Sequence, residues 1–200
     1  MVYILNPEEI YSKSFGIIKN IMGLDDSLKS KIIIRAAHAT GDIDAARSII
    51  FSENFEDGLF DQNYNIVTDI NMVKYGIGSN KTYCHINDDD VIESSKSMHI
   101  SRSYIAIKKA CREMPEAVYV IGDAPTALIS IIEEINNKKC NPHMVIGVPV
   151  GFVSALESKQ LLLKVKIPFI TNLSIKGGSA MGAAIANAIL SDKNVHRGHT

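Results

Sequence analysis

The apolar positions follow two periods along this chain. From Val118 to Ile121, and again from Met144 to Val148, they run together in short, partly β-branched stretches, as in strands buried on both faces. Each run is broken by glycine and proline, at Gly122-Asp123-Ala124-Pro125 and at Gly147-Val148-Pro149-Val150-Gly151. A helical pattern follows each break, over Thr126–Ile132 and from Ala155 onward, with Ser154 as the predicted N-cap of the second. Two copies of strand, turn and helix place two turns on one rim of one sheet, and ligands of such sheets bind beyond the carboxyl ends of the strands. Asn65–Ile70, Thr82–Ile86 and Pro168–Thr171 read as further strands, giving five.

Between the strands the period is helical. Asn6-Pro7-Glu8-Glu9 is a helix start, and the pattern runs through Ile10, Tyr11, Ser14, Phe15, Ile17, Ile18 and Ile21 to Gly23. Ser14 interrupts the stripe formed by Ile10, Ile17, Ile18 and Ile21, and reads as a serine bonding back to a carbonyl one turn earlier. Asp25-Asp26-Ser27 caps a second helix, which ends at His38-Ala39-Thr40-Gly41. Asp42–Ile50 reads as a short helix, with Phe51-Ser52 leading to a third. Asp88-Asp89-Asp90 reads as a helix cap, and Ser101-Arg102-Ser103 opens a helix ended by Pro115. Lys176-Gly177-Gly178-Ser179 opens the last helix, whose small residues suit close packing against the sheet or a second subunit. The pattern predicts a single-domain α/β fold over residues 1–191, Rossmann-like, with a mostly parallel five-stranded sheet and helices on both faces. Residues 192–200 form a polar tail whose His196 and His199 read as solvated.

Composition narrows the function classes. The 200 residues are 46% hydrophobic with a formal net charge of -1, as in an ordinary globular domain with no electrostatic footprint for nucleic acid or an anionic membrane. No apolar run approaches the roughly 18 residues of a membrane span. Met1–Glu9 lacks the basic start and apolar core of a signal peptide, so a cytoplasmic location is expected. Cys84, Cys111 and Cys140 are odd in number and far apart, which suits reduced thiols.

The candidate chemistry is spare. His38 falls on the last turn of its helix, where the partial negative charge favours imidazolium; Asp42 and Asp44 follow and would act the same way. Such a histidine is a usable proton donor and acceptor, although one that merely caps the helix looks the same in sequence. Arg102, between two hydroxyls at a helix start, suits a carboxylate or phosphate, and equally a solvated side chain beside a capping serine. Gly177 and Gly178 offer backbone N–H groups to an anion. Gly76-Ile77-Gly78 lacks the strand and third glycine of a dinucleotide fingerprint and reads as a turn. With no Ser-His-Asp set, metal-ligand spacing or phosphate loop, the pattern suits a polycarboxylate ligand and proton chemistry without a redox cofactor or metal.

An ordered set of motifs goes further. Ile10-Tyr11-x-x-Ser14-Phe15, Arg35-x-x-His38, Asp69-x-x-Met72-Val73-x-x-Gly76, Ser101-Arg102-Ser103, Gly122-x-Ala124-Pro125-Thr126-Ala127-Leu128, Gly147-x-Pro149-Val150-Gly151-Phe152-Val153-x-Ala155-x-Glu157-Ser158-Lys159 and Gly177-Gly178-Ser179-Ala180-Met181 together resemble the precorrin-8X methylmutase family. Asp123 stands where that family has Asn, and Ser101 where Thr is usual. The resemblance implies a cytoplasmic isomerase of cobalamin biosynthesis, homodimeric, with sites at the subunit interface and no cofactor. Its reaction would shift a methyl group from C-11 to C-12 of a tetrapyrrole carrying several carboxylates, giving hydrogenobyrinate, or cobyrinate if the ring holds cobalt. His38 matches the family's catalytic histidine and Ser14 a substrate-contacting serine, with Tyr11 in the same block. Arg102 with Ser103, and Lys176, Gly177, Gly178 and Ser179, are the expected carboxylate-binding groups. Two alternatives stay open on the same fold: an enzyme using a nucleotide or S-adenosylmethionine, and a tetrapyrrole carrier without turnover.

Overall fold

A computed structural model of the chain describes residues 3–192; the tail histidines His196 and His199 lie outside the described residues. Nine α-helices, one 3₁₀ turn (Phe55–Gly58) and six strands make up this span: α1 (Pro7–Met22), α2 (Leu28–Thr40), α3 (Ile43–Arg47), β1 (Ile49–Phe51), β2 (Ile66–Thr68), α4 (Asn71–Gly76), β3 (Thr82–Tyr83), α5 (Asp89–Met98), α6 (Arg102–Glu113), β4 (Val118–Ile121), α7 (Pro125–Asn136), β5 (Met144–Gly147), α8 (Ala155–Leu162), β6 (Phe169–Asn172) and α9 (Ser179–Leu190).

One sheet has the order β1-β6-β5-β4-β2-β3. All its pairings are parallel except β1 with β6. The expected five strands are present, and β1 is the addition. Its first two residues fall inside Asp42–Ile50, the stretch expected to be helical. The helix stops at Arg47, and Ile49-Ile50-Phe51 instead pairs antiparallel with Asn172, Thr171 and Ile170. Ser52 extends that edge by donating its N–H to the Phe169 carbonyl at 3.0 Å and accepting the Phe169 N–H on its Oγ at 2.9 Å. β3 is shorter than expected, two residues rather than five.

The pleat sorts side chains into two cores. Ile66, Val118, Val120, Met144, Ile146 and Ile170 face a layer made by α2, α4 and α9. Val67, Tyr119, Ile121, Val145 and Phe169 face α6, α7 and α8. Strands buried on both faces explain why β4 and β5 read as unbroken apolar runs. In α9 the small residues Gly182, Ala183 and Ala186 are turned inward; a methyl on Gly182 would sit 3.3 Å from Val120 and 3.4 Å from the Gly122 Cα. Helix α9 therefore packs on the sheet and α2, and its small face is not free for a partner.

The local signals for helix ends behave unevenly. Asn6, Ser27 and Ser101 accept N–H bonds from Glu9, Ser30 and Tyr104, and Gly23 and Gly41 close their helices in the left-handed conformation. Ser154 stands at the start of α8 but is itself left-handed (φ 61°) and makes no capping bond. Asp88 also forgoes the cap, its carboxylate taking His85 and Lys109 instead. All three cysteines are unpaired.

Strands β3 and β4 follow β2 in sequence but flank it on opposite sides, so the sheet changes direction between β2 and β4. Asp69, fully buried at the end of β2, bridges this point. Its carboxylate accepts the N–H groups of Gly122 (3.1 Å), Asp123 (2.8 Å) and Ala124 (2.8 Å), and so holds the turn between β4 and α7. Burial pushes its carboxyl up, and the three N–H groups pull it back toward the ionised form. Replacing Asp69 with Ala strands three donors, and unfolding in urea is expected to show a loss of about 3–5 kcal/mol, with Asp69→Asn losing roughly half as much.

Candidate active site

The rim at the strand tips is assembled by helices that run antiparallel to one another. Lys31, at the start of α2, gives its ammonium to Asp192 just past α9 (2.9 Å), and Lys176, just before α9, gives its own to Asp42 just past α2 (2.8 Å). The two ties align α2 against α9 end to end. They bring the last turn of α2, with His38, to the rim where α9 begins.

His38 is partly buried and held by one turn of α1. Its Nδ1 shares a 2.8 Å hydrogen bond with Ser14 Oγ. The rings of Tyr11 and Phe15 flank the imidazole at centroid distances of 5.1 and 5.3 Å, the second edge-on. Positions 11, 14 and 15 share a helix face, so this grip follows from helical spacing. Ser14 does not bond back to its own helix. The face of α1 that packs is also displaced from the expected stripe: Phe15, Ile18 and Met22 cluster against α2 and α3, whereas Ile10, Ile17 and Ile21 are exposed. With Nδ1 engaged by Ser14, Nε2 is the nitrogen left to exchange protons with a ligand, and the tautomer follows whichever partner donates in the Ser14 bond.

Asp42, expected to bias His38, is committed elsewhere. It caps α3 by accepting the Ala45 N–H at 2.9 Å and takes the Lys176 ammonium. The hydrogen bond from Lys176, with that from Ala45, holds its carboxyl below the usual range; Asp42 in turn raises the Lys176 ammonium. Asp44 stands 4.0 Å from the same ammonium.

The glycine pair is placed by close approach. Gly177 has φ 153°, and a Cβ there would lie 2.2 Å from the Val148 carbonyl oxygen. Gly178 donates its own N–H to that carbonyl (2.9 Å), so it is not available to an anion, whereas Ser179 is buried in the first turn of α9. The loop before the pair rests on Lys159 of α8, whose Nζ donates to the carbonyls of Ser174 and Lys176, both at 2.7 Å. Nothing local in the sequence separates Lys159 from a solvated lysine.

Arg102 and Ser103 belong to a second cluster, on the opposite face of the sheet at the same rim. Ser101, Ser103 and Thr126 join their hydroxyls at 2.7, 2.8 and 3.1 Å, linking the first turns of α6 and α7 beside the exposed Arg102. Two helix N-termini and three hydroxyls converge there, a setting suited to an anionic group. Thr126 was not among the expected site residues; its proximity to Ser101 is a product of the α6–α7 packing. Among the described residues no group of three or more His, Cys, Asp or Glu side chains is arranged to hold a metal ion, and no helix is long and apolar enough to cross a membrane.

Known proteins resemble the chain along most of its length. The family described as Precorrin-8X methylmutase matches residues 9–192. A cobalt-precorrin-8 methylmutase of Priestia megaterium is 36% identical over 205 residues, covering 96% of this chain and 91% of the relative. A precorrin-8X methylmutase of Pseudomonas aeruginosa is 31% identical, with 96% and 98% covered. Among solved structures, a precorrin-8X methylmutase from Thermus thermophilus superposes with a TM-score of 0.81 at 28% identity, covering 91% of this chain and 94% of that one.

The Asp42 tie has a definite pH signature. A carboxyl held below its ordinary value of 3.8 contributes stability that is in place above that value and is lost as the pH falls through the lower folded-state one. Urea unfolding of wild type and Asp42→Asn is therefore expected to differ most above about pH 4 and to converge toward the acid end.

Proposed function

The chain belongs to the precorrin-8X methylmutase family, isomerases of cobalamin biosynthesis that move a methyl group, and on that premise we propose that His38 is the proton donor and acceptor for a shift from C-11 to C-12 of the bound ring. The observation that carries this reading is the Ser14–His38 hydrogen bond, with Tyr11 and Phe15 fixing the ring plane.

The chemistry suits a single imidazole. The migration is a [1,5]-sigmatropic shift in which the bond from methyl to C-11 breaks as the bond to C-12 forms. Protonating the conjugated ring makes the migration terminus electron-poor and lowers the barrier. An isomerisation leaves composition unchanged, so the proton lent must be recovered. One group that donates and then accepts does both, and the product is hydrogenobyrinate, or cobyrinate where the ring carries cobalt. Ser14 keeps Nδ1 occupied through both steps, so Nε2 faces the ring in either protonation state.

The remaining rim residues bind. Arg102, with the hydroxyls of Ser101, Ser103 and Thr126, takes one peripheral carboxylate. Gly177 N–H and the half-exposed Lys176 ammonium take another, with Ser179 completing the first turn of α9 and Tyr11 lying against the ring beside His38. Because the two clusters sit on opposite faces of the sheet, the ligand that engages both is a broad polyanion laid across the strand tips. A second copy of the chain covers the apolar surface left near the rim: Ile10, Ile17 and Ile21 of α1, and Phe152 and Val153 after β5. Synthesis and action in the cytoplasm complete the reading.

Offered precorrin-8X and cobalt-precorrin-8 under anaerobic conditions, the purified protein is expected to change the visible spectrum of at least one as the methyl group moves. His38→Ala should still bind the ring but lose rearrangement by about 10²–10⁴-fold. Near-normal turnover in that variant would remove His38 as the proton relay. Ser14→Ala should weaken ring binding more than it slows turnover, as read by comparing KM with kcat.

A further inference from the structure

Lys159 is fully buried on α8, on the sheet face opposite α2 and α9, and its ammonium donates to two main-chain carbonyls. Burial brings its ammonium down to about 8, so the charge is held at a cost that an apolar side chain of the same length would not incur. What the charge achieves is an orientation. The carbonyls of Ser174 and Lys176 point in toward Nζ, and Asn172 Nδ2 adds a second donor to the Lys176 carbonyl at 2.9 Å. In a planar trans peptide the following N–H points the opposite way. Turning the Lys176 carbonyl inward therefore turns the Gly177 N–H away from Lys159, toward the rim. The same peptide carries the Lys176 side chain to Asp42, four residues beyond His38.

We propose that Lys159 is a positioning residue for the active site: its ammonium locks the 173–178 crossing, and thereby aims the Gly177 N–H at a carboxylate of the ring. The proposal rests on the reading of this rim as the ring-binding site. A buried cation also serves that role better than a neutral plug, because its charge lies directly behind the peptide that faces the anion.

Lys159→Met keeps the length and removes the charge. In a spectroscopic titration with cobyrinate it is expected to bind at least tenfold more weakly than wild type, and in turnover its KM should rise tenfold or more while kcat changes less than threefold. A merely structural role would lower the amount of active enzyme, reducing kcat with KM unchanged, and that outcome, or unchanged binding in a folded variant, overturns the proposal. If Lys159→Met does not fold, hydrogen exchange on the wild-type protein decides. The Leu173 and Gly178 amides, bonded to the Ser48 and Val148 carbonyls at the two ends of the crossing, should exchange markedly more slowly than those of Phe152 and Val153, and exchange at free-peptide rates would sink the clamp. Failure of the wild type to bind cobyrinate or rearrange either ring would instead strike the functional reading, and the exchange experiment would still judge the clamp.

Discussion

The geometry of the rim depends on how closely one stretch of backbone approaches another. Gly177 and Gly178 press against the Val148 carbonyl at the tip of β5, with no room for a side-chain carbon at Gly177. That contact sets where α9 begins. Helix α9 then lies flat on the sheet because Gly182 and its neighbouring alanines admit it, and α2 is tied to α9 at both ends. His38 inherits its position at the end of this series: sheet to glycine pair, glycine pair to α9, α9 to α2. Each link is short-range, yet residues 38 and 177 are brought to the same rim although they are far apart in the chain.

Much of the fold is legible because the signals that encode it are local. The β4–α7 and β5–α8 units are contiguous apolar runs closed by glycine and proline, and the structure has them as parallel neighbours, Ile121 opposite Gly147. Caps at Asn6, Ser27 and Ser101 announce themselves by residue type. The features that escape a local reading are those decided elsewhere in the chain. Three residues of β1 are strand only because β6 offers an edge, and the preceding helical turn masks them. The phase of α1 is set by what it meets, and the meeting face is displaced from the stripe that hydrophobicity alone selects. Asp88 and Ser154 occupy capping positions without capping, since His85 and Lys109 claim the first and a left-handed turn removes the second.

The candidate site divides in the same way. His38 at a helix C-terminus and hydroxyls beside Arg102 are visible as residue types, but their partners are not. Ser14 is 24 residues from His38 and Thr126 is 25 from Ser101, and both pairings exist only once helices pack. Lys159 is the extreme case. Its acceptors are backbone carbonyls 15 and 17 residues downstream, which have no signature in sequence at all. Here the motif resemblance and the geometry are complementary. The resemblance places Ser14 and His38 in one family pattern, and the packing supplies a physical reason for the pairing.

The proposed proton relay and the proposed polyanion site make opposite demands on charge, and the fold keeps the residues assigned to each apart. The carboxylate-facing groups proposed here are backbone N–H donors, hydroxyls, a guanidinium and a lysine already half-satisfied by Asp42, so they concentrate little positive charge at any one point of the rim. His38 is screened by two aromatic rings and a neutral hydroxyl. Asp42, the carboxylate with the shortest path to it in sequence, is drawn off by Lys176 and by the cap of α3. On the proposed reading the imidazole has a neutral oriented partner on one nitrogen and the ligand on the other, an arrangement in which the same atom can release a proton and take it back.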